Sequence, residues 1–262
     1  MSSRLVMLPA ELRLMIYGHL FNIGDAEQGR KKKLSIRNDN RPSSSTPSER
    51  SRLRRRYYVI DRSLHRQCYE TTYTLVTKSA SLCAQVMRVN RLLYQETAAL
   101  VYGKHAFDFG PDAEAVAPFL SDLTPASRNM IKHVELRKAP HYDNETDRFE
   151  WKAMCMYLSD HTLIETLRLV VQAGRPSSDW DGPREISCEE LELLLGLKFD
   201  CLDWITHVAT LKGIRDIEIV PEVFYAAPPQ STHMLVNAAL AGSIEKGLTT
   251  LLRRKLRLPD KA

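Results

Sequence analysis

Three short runs in the second half of the chain alternate apolar and charged residues: Val134-Glu135-Leu136, Leu167-Arg168-Leu169 leading into Val170-Val171, and Ile217-Glu218-Ile219. A repeat of two sends successive side chains to opposite faces of a strand, so each run buries one face and turns charge to the other. A helical pattern precedes each run. Consecutive strands joined by helices lie parallel, through right-handed crossovers. Parallel strands covered on both faces read as unbroken apolar runs, and here Glu135, Arg137, Arg168, Asp216 and Glu218 interrupt them. The pattern predicts a mixed α/β fold with a mainly parallel sheet and one open face. The alternative is an α/β domain whose strand charges meet water only at the strand ends.

The helices between the runs are predicted near Asp147 to Ser159, with Phe149, Met156 and Tyr157 among the apolar positions, and near Asp200 to Thr210, with Leu202, Ile205 and Val208. Another starts at Ser187, whose spacing to Glu190 fits a capping box. A last helix, Thr232 to Leu256, places Leu235, Ala239, Leu248 and Leu252 inward and ends in Arg253, Arg254 and Lys255, which suit its C-terminal dipole. The spacings between the runs are too irregular for a strict repeat family. The arrangement resembles a short, irregular leucine-rich-repeat-like module, whose exposed strand face is the usual place to bind a protein.

The first half opens with a helix from Leu8 to Phe21, with Pro9 at its first position and Leu12, Ile16 and Leu20 as its stripe beside Met15. Tyr57 to Ile60 and Thr71 to Thr77 are β-rich. A long helix is expected from Ser81 to Tyr102, with Leu82, Val86, Val89, Leu93 and Leu100 on one face and Gly103 ending it. A strand follows from Lys104 to Phe109.

Charge is uneven. Residues 30 to 56 hold eleven Lys or Arg against Asp39 and Glu49, a local +9 that leaves −4 for the rest of a chain whose total is +5. The basic residues form two clusters, Arg30, Lys31, Lys32, Lys33 and Arg52, Arg54, Arg55, Arg56, around a Ser- and Pro-rich stretch without apolar residues. Such composition reads as a disordered insert over about 28–56. The clusters are candidates for nuclear import or for salt-dependent contact with nucleic-acid phosphates, with Tyr57 and Tyr58 near enough to stack on bases.

Apolar runs are too short for a membrane span, and Met1 to Pro9 lacks the features of a secretory signal. Five scattered cysteines without a Cys-x-x-Cys pair point to reduced thiols in nucleus or cytoplasm. No nucleophile elbow, phosphate loop, dinucleotide turn or zincin helix is present in the sequence. His133, His141 and Asp143 cluster, but a metal site needs a further ligand, so no catalytic, cofactor-binding or metal-binding residue is assigned. Cys155 reads as a buried small hydrophobe and Trp204 as core, with Trp151 and Trp180 as the other tryptophans able to anchor a partner; Trp180 is the one expected to be exposed.

Two motifs resemble a known family. Leu8-Pro9-x-Glu11-Leu12-Arg13-x-x-Ile16-Tyr17-x-x-Leu20 and Val89-Asn90-Arg91-x-x-Tyr94-x-Glu96-x-x-x-Leu100-x-Tyr102-Gly103-x-x-x-Phe107-x-Phe109 are similar to a large group of fungal F-box-like proteins. The resemblance implies a module that docks the Skp-type adaptor of a cullin-type ubiquitin ligase through Leu8, Pro9, Leu12, Ile16 and Leu20, and a second module that selects a substrate protein. The other reading packs those side chains inward against Val86, Val89 and Leu93. The expected organisation is an F-box-like helical module over 1–110 containing the basic insert, then an irregular leucine-rich-repeat-like α/β module over 111–258 whose strand face, Glu135, Arg137, Arg168, Asp216 and Glu218, meets a protein. The function expected is non-catalytic protein interaction, without cofactor, small-molecule ligand or membrane. A nuclear, nucleic-acid-associated protein acting through the basic segment is the alternative, and an enzyme of unrecognised type a second one.

Overall fold

The computed structural model describes residues 4–21, 31–39, 54–60, 68–76, 84–140, 144–176 and 180–259. Seven strands form one sheet: β1 (Lys33–Asn38), β2 (Arg56–Ile60), β3 (Cys68–Val76), β4 (Ala106–Asp108), β5 (His133–Lys138), β6 (Thr166–Arg175) and β7 (Asp216–Tyr225). Their order is β2-β3-β1-β4-β5-β6-β7. The pairs β1–β4, β4–β5, β5–β6 and β6–β7 are parallel, while β3 runs antiparallel to both β1 and β2. The fold is therefore mixed α/β with a mostly parallel sheet, as the alternating runs predict.

The helices are α1 (Ala10–Leu20), α2 (Arg91–Lys104), α3 (Val116–Ser121), α4 (Pro125–Met130), α5 (Asn144–His161), α6 (Cys188–Gly196), α7 (Asp203–Ala209), α8 (Thr232–Ser243) and α9 (Thr249–Lys255). A single apolar cluster joins Tyr17, Phe21 and Leu93 from the first half to Trp151, Cys155, Trp204 and Leu240 from the second. The sheet contributes Leu34 and Ile36 from β1, Phe107 from β4, Val134 and Leu136 from β5, Leu167 and Leu169 from β6 and Ile217 from β7. These alternate with Lys33, Ser35, Arg37, Asp108, Glu135, Arg168 and Glu218, which lie outside the cluster on the opposite face.

Several expectations are corrected. Residues 33–38, inside the expected disordered insert, form β1 in the interior of the sheet, because Lys-Leu-Ser-Ile-Arg-Asn is itself an alternating run that buries Leu34 and Ile36. The boundary between residues 110 and 111 is crossed by sheet and core alike, since β4 pairs with β5. The expected long helix from Ser81 divides into a 3₁₀ turn at Ala84–Arg88 and α2. Asn90 causes the break: its backbone is extended at φ −161° and its side chain accepts the Leu93 N–H, which starts a new helix. Val89 is consequently exposed. Leu82 lies outside the described residues.

The C-terminal helix runs as α8, a π turn at Ile244–Leu248, and α9. Ala239, Leu248 and Leu252 are buried as expected, whereas Leu235, Phe149 and Met156 are exposed. Gly242 sits where a Cβ would meet the Arg184 carbonyl at 2.2 Å, and Ser243 Oγ accepts the Ile186 N–H at 2.5 Å. The segment before α6 is thus laid against small residues of α8. The Ser187–Glu190 capping box is formed in both directions.

Candidate functional site

The two motifs of the first half close on each other. Arg13 and Tyr17, one helical turn apart on α1, point inward although one is cationic and the other polar at its tip. Arg13 Nε and Nη2 donate to the two Glu96 oxygens at 3.0 and 2.5 Å, and Tyr17 Oη donates to Glu96 Oε2 at 3.0 Å. Arg13 Nη1 also donates to the Leu8 carbonyl at 2.5 Å, which fixes the approach to the helix. The Arg13 hydrogen bond holds the Glu96 carboxyl below its ordinary range despite burial, and burial together with Glu96 pushes the Tyr17 phenol up to about 12. The quoted motifs contained all three residues; with no geometry, nothing in the sequence assigned them to one another.

This clasp decides which way the rest of α1 faces. With Arg13 and Tyr17 inward and Phe21 buried just beyond the helix, Leu12, Met15, Ile16 and Leu20 are turned to solvent, at 47, 62, 36 and 36% exposure. Pro9 is exposed and Leu8 half-buried. The inward alternative, with this stripe against Val86, Val89 and Leu93, is not the arrangement observed: Leu93 is buried, but Val89 is exposed and so are Leu12, Ile16 and Leu20. Met7, Val89 and Leu92 are exposed apolar residues on the adjoining turns. An apolar stripe on a helix that already has a buried face is the feature of this half that packing does not account for.

The open sheet face is organised differently from the expectation. Glu135 is buried and receives Lys33 at 2.5 Å and Arg168 at 3.5 Å; Arg168 also meets Glu218 at 3.3 Å. Lys33 reaches β5 across β4 because its register partner there is the small Ala106. Arg37 meets Asp108 at 2.8 Å, Arg137 meets Glu222 at 3.3 Å, and Asp216 is met by Arg253 at 3.3 Å. Burial pushes Asp108 up, but the Arg37 hydrogen bond and charge outweigh it and hold the carboxyl low. The five residues expected to present charge to a partner mostly neutralise charges on neighbouring strands. A shallow hollow of about 250 Å³ remains on this face, lined by Lys31, Lys33, His133, Glu135, Arg168 and Glu218 among others.

The sheet sends the two basic clusters to opposite ends of β1. Arg54 donates to the Tyr73 carbonyl and lies over its ring, Arg55 meets Asp122, and Arg56 meets Glu70. Lys31, Lys32 and Lys33 stand at the start of β1, where Lys31 Nζ is in contact with His133 Nε2. Arg30 and Arg52 lie outside the described residues, as do His141 and Asp143. Tyr57 is half-buried with its phenol on Asn38, while Tyr58 is exposed.

Among the described residues, no three His, Cys, Asp or Glu side chains are gathered as a metal site, and no helix is long and apolar enough to cross a membrane. Cys155 and Cys201 are buried thiols pushed up to about 12 and about 11 by burial. Trp151 and Trp204 pack edge to face in the core, and Trp180 is half-buried against Gly182.

These features define a mixed α/β protein with a sheet packed on one face and a first helix clasped through its polar side. Residues 1–198 match the family described as a domain of unknown function, DUF7730, and the chain belongs to that family. Strand β7 and helices α7 to α9 lie beyond the matched range. Searches of curated proteins and of solved structures find no match.

Proposed function

We propose that this protein is a non-catalytic interaction module that docks a protein through the outward face of α1, and that it serves as an F-box-like substrate adaptor of a cullin-type ubiquitin ligase. The observation that carries this reading is the orientation of α1: Arg13 and Tyr17 fill the intramolecular contact, leaving Leu12, Met15, Ile16 and Leu20 for a partner. These include residues that the F-box resemblance assigns to a Skp-type adaptor. The sequential order β4-β5-β6-β7, with the core on one face, supports the leucine-rich-repeat-like reading of the second half. The charge ladder of the open face would then be the place where a substrate protein is chosen, by exchanging ion pairs.

The test is direct binding of the full chain to a purified Skp-type adaptor. Leu12→Asp and Ile16→Asp, both at exposed positions, should keep the wild-type circular dichroism and lower the affinity by roughly ten- to a hundredfold, the worth of one lost apolar anchor. Adaptor binding that is unchanged in both variants, or absent from the folded wild type, overturns the reading.

A further inference from the structure

One end of the sheet carries an unbalanced line of cations that the docking of α1 does not use. Four of the five segments that lead into the neighbouring strands β1, β4, β5, β6 and β7 bring a basic residue there: Lys31 and Lys32 before β1, Lys104 before β4, Lys132 before β5, and Lys212 and Arg215 before β7, while Glu165 precedes β6. The backbone fixes their order. The Ala106 N–H donates to the Lys32 carbonyl, Thr166 N–H to Lys132, and Asp216 N–H to Glu165, so the turns lie side by side like the strands that follow them. At roughly 4.8 Å per strand, the row from β1 to β7 spans about 19 Å.

Among the described residues of these turns the acidic one is Glu165, shared between Lys132 at 3.1 Å and Arg215 at 3.2 Å. Asp160, on the end of α5, meets Lys212 at 3.5 Å. Among the described residues, six cations against these two carboxylates leave four cationic charges over. Lys31 is pushed below its ordinary value by burial and by Lys104, and His133 by burial and by Lys31, so the cations crowd one another. Among the described residues of these turns, Leu163 is the large apolar side chain that is exposed. A row of like charges with little apolar surface suits a phosphate backbone better than the apolar centre of a protein interface. A phosphate backbone needs only a row of cations, and about five phosphates of one strand, at 3.4 Å per step, span the same length.

We propose that the turns entering β1, β4, β5 and β7 form a binding surface for the phosphate backbone of a nucleic acid, contacted without base readout through Lys31, Lys32, Lys104, Lys132 and Arg215. The contact is electrostatic. With about four phosphates neutralised, affinity should fall about a hundredfold between 50 and 200 mM salt.

The experiment is fluorescence anisotropy of the full chain with a labelled 20-base-pair DNA duplex and a labelled 20-nucleotide RNA, each at 50, 100 and 200 mM salt. Binding of either, independent of base sequence and with that salt dependence, is expected; whichever binds more tightly identifies the form of nucleic acid. The double variant Lys32→Glu, Lys104→Glu should lose at least tenfold, whereas Lys152→Glu, Lys246→Glu, with the same net charge but on exposed positions elsewhere, should lose far less. Leu12→Asp should change nothing, which separates this surface from the α1 reading. An equal loss in both double variants shows attraction to net charge and overturns the site. So does absence of binding at 50 mM salt. Tighter binding of poly-glutamate of matched charge than of either nucleic acid overturns the assignment in favour of an acidic protein.

Discussion

Tyr17 and Glu96 show how one carboxylate can set the exposure of a helix. Glu96 accepts from Arg13 twice and from Tyr17 once, so the polar side of α1 is the inner side. Tyr17→Phe keeps the ring in the core and deletes a hydrogen bond to a charged acceptor, which should cost about 1.5 kcal/mol in urea unfolding. Glu96 and Asp108 both have carboxyls held below their ordinary values in the folded chain. Their stabilisation is therefore complete above the unfolded-state values, about 4.3 for Glu and 3.9 for Asp, and is lost as the pH falls through the lower folded values. Thermal melts from pH 6 to pH 3 should show a falling midpoint, with a shallower fall in Glu96→Gln. An equally steep fall in that variant would remove Glu96 from the account.

At the scale of elements, local rules reach some boundaries and not others. The capping box at Ser187 was legible because both of its partners lie within one turn. The break at Asn90 was equally local but was hidden under an apolar spacing, Val86, Val89 and Leu93, that suits one continuous helix. Asn90→Ala should cost about 1 kcal/mol by removing the acceptor of the Leu93 N–H, and should leave α1 in place as read by proteolysis of its exposed face. Gly242→Ala forces a methyl onto the Arg184 carbonyl, for a loss of about 1–3 kcal/mol in the same urea assay. Neither this approach nor the clasp on Glu96 could be read from the chain, since each depends on partners more than fifty residues away.

The whole molecule is held by a sheet whose first strand lies between β3 and β4. The parallel succession β5 to β7 was readable from period-two runs each preceded by helical spacing. The position of β1 was not, because lysine-rich composition outweighed a six-residue alternation and because Asp108, the partner of Arg37, lies 71 residues further on. One shared core makes a prediction about cooperativity. Ile36→Ala, at a fully buried position in β1, should cost about 2–5 kcal/mol. Near-ultraviolet signals from Trp151 and Trp204, in the other half of the chain, should report the same loss as the far-ultraviolet signal. Two separate transitions would show that the halves fold independently.

The link between Arg13 and Glu96 also has a consequence in time. A ribosome adding about 5 to 20 residues per second needs roughly 4 to 17 s to make the 83 residues that separate them. Throughout that interval the first helix lacks the carboxylate that clasps it. Nascent chains would therefore show the Leu12, Met15, Ile16 and Leu20 stripe, together with Tyr17 and Phe21, to whatever waits at the exit tunnel.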